Sequence, residues 1–189
     1  LPDQHLGRNT AYKMGVPLDE MVVWDPELAY GGISLENLRR ARIVLWKGHC
    51  SVHTKFTVSQ VQHLRHQHPD ARVIVHPECT WDVVQAADES GSTEHIIKQV
   101  ANSEIGSTWA IGTELHLVNR LAKALGPDRH IMTLDPMGCL CSTMFRVSPN
   151  HLLWILESLV AGTVHNQIVV PEHEKRWTRV ALDRMLEIH

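Results

Sequence analysis

The chain has 189 residues, 43% hydrophobic and 21% charged, with a formal charge of -3, a composition that suits one substantial domain or two small ones with buried cores. The acidic balance provides no basic surface for counterion release on nucleic acid, and no apolar run approaches the roughly 20 residues that span a bilayer, so neither nucleic acid nor a membrane is an expected partner. Four cysteines beside 14 histidines do not make a secreted disulfide scaffold and fit a reducing, cytoplasmic setting. There is no signal-peptide pattern, and the opening Leu1-Pro2-Asp3 reads as the start of a piece of a longer protein.

Taken in chain order, the first forty residues are the least regular. Residues 21–24 form a possible short strand, and Ser34 opens a short helix. Residues 42–46 are a short apolar run of the kind seen in buried parallel strands. Thr57-Val58-Ser59-Gln60 is a capping box that predicts a helix to about Gln67, stopped by Pro69. Strands are expected at 71–75, 108–111 and 130–134. Helices are expected over 80–87, from 91–93 onward with Ile96, Ile97 and Val100 as its stripe, and over 116–125 before Gly126-Pro127. Beyond these, Ser148-Pro149 and Pro171 open two terminal helices. Alternating β and α elements predict an α/β fold with parallel strands.

In such sheets ligands bind beyond the carboxyl ends of the strands. The residues there are Lys47-Gly48-His49-Cys50, His76-Pro77-Glu78-Cys79, Gly112-Thr113-Glu114, and the run from Asp135 to Cys141 that carries Cys139. Thiolates converging from separate loops select zinc, copper(I) or iron–sulfur; buried free thiols are the alternative. Trp46-Lys47-Gly48-His49-Cys50-Ser51-Val52-His53 places a thiol between two histidines. Adjacent side chains at a strand end diverge, so local hydrogen bonding is the plainer role for His49 and His53. His63 and His66 read as a solvated helix face.

His76 and Glu78, two apart in an extended segment, project from one side and suit proton transfer at neutral pH; the alternative is a histidine stacked under a loop beside a surface glutamate. Gly91-Ser92-Thr93 is either an anion site at a helix amino end or an ordinary cap. Glu114 could simply cap the next helix. From the residues alone, a zinc hydrolase using Cys50 with nearby histidine and a non-enzymatic α/β binding module both stay open.

Together these motifs resemble the quinolinate synthase family. Pro2-Asp3-Gln4-His5-Leu6-Gly7, the Trp46–His53 run, His76-Pro77-Glu78, Gly91-Ser92-Thr93, Gly112-Thr113-Glu114 and Cys141-Ser142-Thr143-Met144 stand in family order across nearly the whole chain. The resemblance implies an enzyme that condenses iminoaspartate with dihydroxyacetone phosphate to quinolinate at a [4Fe–4S] cluster, within NAD biosynthesis. L-aspartate oxidase is the implied supplier of iminoaspartate. It implies Cys50 and Cys141 as two of three cluster ligands, the third lying in an earlier part of the family's sequence. His76 and Glu78 become the catalytic pair that also contacts substrate, and Thr93 a substrate-binding residue. His53, in the C-x-V-H element, at most faces substrate. It further implies αβα domains of the family's type: part of one over 1–50, a complete one over 51–141, and a helical segment over 142–189, the amino-terminal domain being absent. Cys79 is not an expected ligand. Cys139 stands close enough to Cys141 to compete for iron, or to form a labile disulfide with another thiol, and residues 17–40 match no motif.

Overall fold

The computed structural model describes residues 3–187, so Pro2 of the first motif lies outside the described residues. The chain divides into two compact units, residues 3–142 and 143–187.

The larger unit contains α1 (Gln4–Lys13), β1 (Met21–Trp24), α2 (Leu35–Arg40), β2 (Ile43–Trp46), α3 (Val58–Gln67), β3 (Arg72–Val75), α4 (Trp81–Ala86), β4 (Glu89–Ser90), α5 (Thr93–Ala101), β5 (Thr108–Gly112), α6 (Leu115–Leu125) and β6 (His130–Thr133). Strands β4-β3-β5-β6 form a wholly parallel sheet. Alternation along the strands sends Val73, Val75 and Ala110 to one face, where they pack with Val61, Leu64 and Val83 of α3 and α4. Ile74, Trp109 and Ile111 face the other way, toward Ile96, Val100, Val118 and Leu121 of α5 and α6. Both faces are therefore covered, which explains why β3 and β5 read as unbroken apolar runs. This is an αβα sandwich, as the pattern predicts.

The predicted capping box is present in full: Thr57 accepts the Gln60 N–H and Gln60 reaches back to the Thr57 N–H. Ser34 and Ser92 cap α2 and α5, and Glu114 caps α6 by accepting the His116 N–H at 2.8 Å.

Three features depart from the sequence reading. The irregular amino end contains α1, a ten-residue helix capped by Asp3; its sequence QHLGRNTAYK is too polar to show an apolar stripe. The strand at 43–46 is parallel, but it pairs only with β1 in a separate two-stranded sheet. Leu45 alone is buried there, while Val44 and Trp46 are 47% and 46% exposed. Finally, β4 is two residues long and lacks apolar side chains; it exists because Glu89 and Ser90 pair with Ile74 and Val75.

The smaller unit holds α7 (Pro149–Val160) and α8 (Glu172–Leu186). Ser148 caps α7 with proline in its first turn, and Gly162 follows its end at a positive φ of 77°. The Trp154 and His165 rings stack at 4.4 Å. No helix among the described residues is long and apolar enough to cross a membrane.

Candidate active site

The loops leaving β2, β3 and β5 deliver their side chains to one place. Cys50 stands four residues beyond β2, in a turn closed by the Thr54 N–H and hydroxyl, both donating to the Cys50 carbonyl. His53 begins the next turn and is buried. His76 and Glu78 follow β3, and Thr113 follows β5. Donor atoms of Cys50, His53 and Glu78 lie within 4.8 Å of one another.

The loop carrying His76 and Glu78 is anchored to the end of β5. The Gly112 carbonyl accepts the His76 N–H at 3.1 Å and the Cys79 thiol at 3.7 Å. Glycine is required at 112, because a Cβ there would lie 2.7 Å from the Val75 Cγ1 on the neighbouring strand.

His53 bridges the two sheets. Its Nδ1 is 2.8 Å from Glu78 Oε2, and its Nε2 is 3.1 Å from the Thr113 hydroxyl. With Glu78 as the carboxylate, Nδ1–H donates to it and the Thr113 hydroxyl donates to Nε2. His76 stacks on His53 with ring centroids 4.3 Å apart and planes 13° apart. The Glu78 N–H donates to His76 Nδ1 at 3.3 Å, which places the proton of a neutral His76 on Nε2. Burial lowers both imidazoles to about 4, the stacked His53 adding to the effect on His76. Both rings are thus neutral at pH 7, able to accept a proton but not storing one.

Those shifts have a stability consequence. A histidine neutral in the folded state and protonated in the unfolded state stabilises the fold above its unfolded value, and that contribution is lost as pH falls. The urea midpoint is therefore expected to drop as pH falls from 6.5 toward about 4. His76→Gln is expected to flatten the slope across that window; an unchanged slope would show that these rings do not govern it.

The four thiols divide into two kinds. Cys79 and Cys139 are buried and satisfied internally. Burial pushes the Cys79 thiol far up, and it pushes Cys139 to about 11, helped by its S–H donating to the Asp135 carboxylate at 3.3 Å. Cys50 and Cys141 are half-buried and pack against the same core cluster. Burial raises the Cys50 thiol as well, the backbone N–H groups of His53 and Val52 oppose that rise, and the Glu78 carboxylate adds to it. Among the described residues, Cys50 brings its donor atom together with those of His53 and Glu78, a set that fits a metal ion.

The structure thus gathers Cys50, His53, His76 and Glu78. Thr93 is the first residue of α5 and is exposed, three residues beyond β4, which pairs with the end of β3 just before His76. His49, His63 and His66 are exposed. His53 departs from the local role read for it, since its partners lie 25 and 60 residues away. Sequence reasoning set Thr113 at a strand end but missed the bond of its hydroxyl to His53. It also missed Asp3 and Asn9, both buried in α1 or at its cap, because no helix is visible there.

A thiol, two imidazoles and a carboxylate converging at parallel-strand ends make this an α/β protein with a donor set able to hold a metal ion. Comparison with known proteins narrows that class. Residues 1–187 match the family described as Quinolinate synthetase A protein (NadA). Over 189 residues the chain is 58% identical to a quinolinate synthase of Acidobacterium capsulatum, covering all of this chain and 51% of that protein. It is 53% identical to one from Herpetosiphon aurantiacus, covering all of this chain and 50% of that protein, and 48% identical to one from Listeria innocua, again over the whole chain. The chain belongs to the quinolinate synthase family, and it spans about half the length of the curated relatives it matches.

Proposed function

We propose that this chain is the carboxyl-terminal part of a cytoplasmic quinolinate synthase, a transferase that condenses iminoaspartate with dihydroxyacetone phosphate. The observation that carries the reading is the convergence of Cys50, His53, His76 and Glu78 from two parallel sheets, in a chain of this family. Cys50 and Cys141 hold a [4Fe–4S] cluster together with a third thiolate from the other half of the protein. When bound, the cluster supplies an open iron as a Lewis acid for substrate.

The chain's own residues then manage protons and orientation. Glu78 serves as the base, its carboxylate held by His53 Nδ1–H. His76, neutral and protonated on Nε2, donates to a substrate oxygen. Neutral His76 polarises that oxygen through its Nε2–H without giving the proton up, and the proton that Glu78 takes is returned by the same carboxyl. Thr93, at the amino end of the nine-residue helix α5, binds an anionic part of the substrate with help from the helix dipole. Residues 1–50 belong to one αβα domain, 51–141 to a second, and 142–189 to a carboxyl-terminal helical segment. L-aspartate oxidase supplies the iminoaspartate.

Anaerobic reconstitution of the full-length protein with iron and sulfide tests the reading. The expected result is a brown, oxygen-sensitive protein that forms quinolinate, while the 189-residue chain treated the same way forms none. Stoichiometric zinc without iron would move the protein to the hydrolases, and no metal with no turnover would leave a binding module.

A further inference from the structure

The Asp3–Gly7 motif has no role in the chemistry above, yet it starts a helix that touches both functional loops. Asp3 is 7% exposed and its carboxylate is fully engaged. One oxygen caps α1 by accepting the His5 and Leu6 N–H groups, each at 2.8 Å. The other accepts the N–H of Cys50 at 2.8 Å, across 47 residues. The Gln4 N–H adds a bond to the Gly48 carbonyl at 2.9 Å. The amino end of α1 is therefore fastened to the loop that carries the cluster thiol.

Six residues on, about 9 Å along the helix, Asn9 does the same for the other loop. It is 6% exposed, and its side-chain NH2 donates to the carbonyls of Pro77 at 2.8 Å and Cys79 at 2.9 Å. Those carbonyls lie on either side of Glu78, so the clamp fixes the curvature of the chain at the catalytic carboxylate. The arrangement leaves the Asn9 Oδ1 buried without a partner. Burying an unsatisfied carbonyl oxygen costs stability, and a plain packing residue would avoid that cost. The amide is better explained by its two donors than by its volume.

We infer that α1 is a strut that sets the separation of the cluster thiol and the catalytic carboxylate, with Asp3 and Asn9 as positioning residues at its two ends. The inference rests on the proposed function for its catalytic consequence but not for its geometry. Neither residue touches substrate; each acts through the loop it holds. A proton donor pair misplaced by a fraction of an ångström loses rate without losing its binding groups.

The two ends give separable signatures in the full-length protein. Asn9→Asp replaces the two N–H donors with a carboxylate facing two carbonyls. It is expected to lower kcat about 10–100-fold at nearly constant KM, to move the pH profile of kcat/KM, and to leave the visible and EPR signals of the cluster unchanged. Asp3→Asn is expected to alter those cluster signals, because an NH2 then meets either the Cys50 N–H or the helix amino end. In the metal-free protein, Asp3→Asn is expected to raise the rate of Cys50 alkylation by iodoacetamide several-fold, with Asn9→Asp leaving that rate unchanged. Wild-type kcat, pH profile and alkylation rate in both folded variants would overturn the strut. Should Asn9→Asp not fold, Asn9→Ser keeps one donor and is expected to lose less rate than Asn9→Ala; equal loss would likewise overturn it. A wild-type protein that holds no cluster and makes no quinolinate would defeat the proposed function, while the alkylation experiment would still judge the helix.

Discussion

Cys50→Ala in the full-length, anaerobically reconstituted protein is expected to lose the broad visible absorption of the cluster and to make no detectable quinolinate. Cys141→Ala is expected to do the same, while Cys79→Ala and Cys139→Ala keep both. For Cys141 the expectation follows from the family resemblance at Cys141-Ser142-Thr143-Met144, and for the other three from what each sulfur already does. Cys79 is fully buried and donates to the Gly112 carbonyl, and Cys139 donates to the Asp135 carboxylate. Each is held as a thiol by burial, and recruiting either as a thiolate would forfeit that bond. Cys50 is raised by burial too, but it alone of the three stands with its donor atom within 4.8 Å of those of His53 and Glu78. Losing a ligand removes a bond that nothing nearby replaces, so the effect is on metal content, not on a rate alone. Iron and acid-labile sulfide per chain are the measurement. Retention of the cluster in Cys141→Ala with loss in Cys139→Ala would shift the ligand by two residues and undo the match at Cys141-Ser142-Thr143-Met144.

Much of this site is written in the sequence because the relevant signals are local. A strand followed by glycine or proline and then a polar group announces its own carboxyl end, and three such exits mark Cys50, His76, Glu78 and Thr113 as strand-end residues, although β2 lies in a separate sheet. The Thr57–Gln60 capping box and the serine caps of α2 and α5 are complete within four residues, and they appear as read. What escapes is whatever depends on distant partners. Helix α1 has no stripe to find; its buried positions are Gly7, Asn9 and Ala11, and two of them carry no apolar bulk. The pairing of His53 with Glu78 and Thr113 spans 25 and 60 residues, so a reading of Cys50-Ser51-Val52-His53 sees only a neighbour of the thiol. The exposure of Val44 and Trp46 is invisible for the converse reason: a run of apolar residues reports a strand but not how many strands lie beside it. The family resemblance supplies cluster ligands that spacing alone cannot assign, since a cysteine two residues from another looks equally able to bind.

Glu78→Gln separates chemistry from structure at the same site. The amide has the size of the carboxylate, its oxygen still accepts the His53 Nδ1–H, and the Glu78 backbone N–H still donates to His76 Nδ1. The variant is therefore expected to fold with unchanged midpoint and to bind a full cluster. What it loses is a base, and general acid–base groups contribute about 10²–10⁴-fold, so kcat/KM is expected to fall by that range. His76→Asn is expected to cost a comparable factor. The two residues act on one substrate group in one step, so the double variant is expected to be little worse than either single one. Additive losses would instead mean that Glu78 and His76 serve separate steps. The pH profile adds a second reading. Both imidazoles are held neutral to about 4 by burial, so a limb of kcat/KM near that value in wild type, displaced in His76→Asn, would tie the titration to the stacked pair. A wild-type turnover rate in Glu78→Gln, with its cluster intact, would strip the carboxylate of its role and leave His53 as a structural bridge between the sheets.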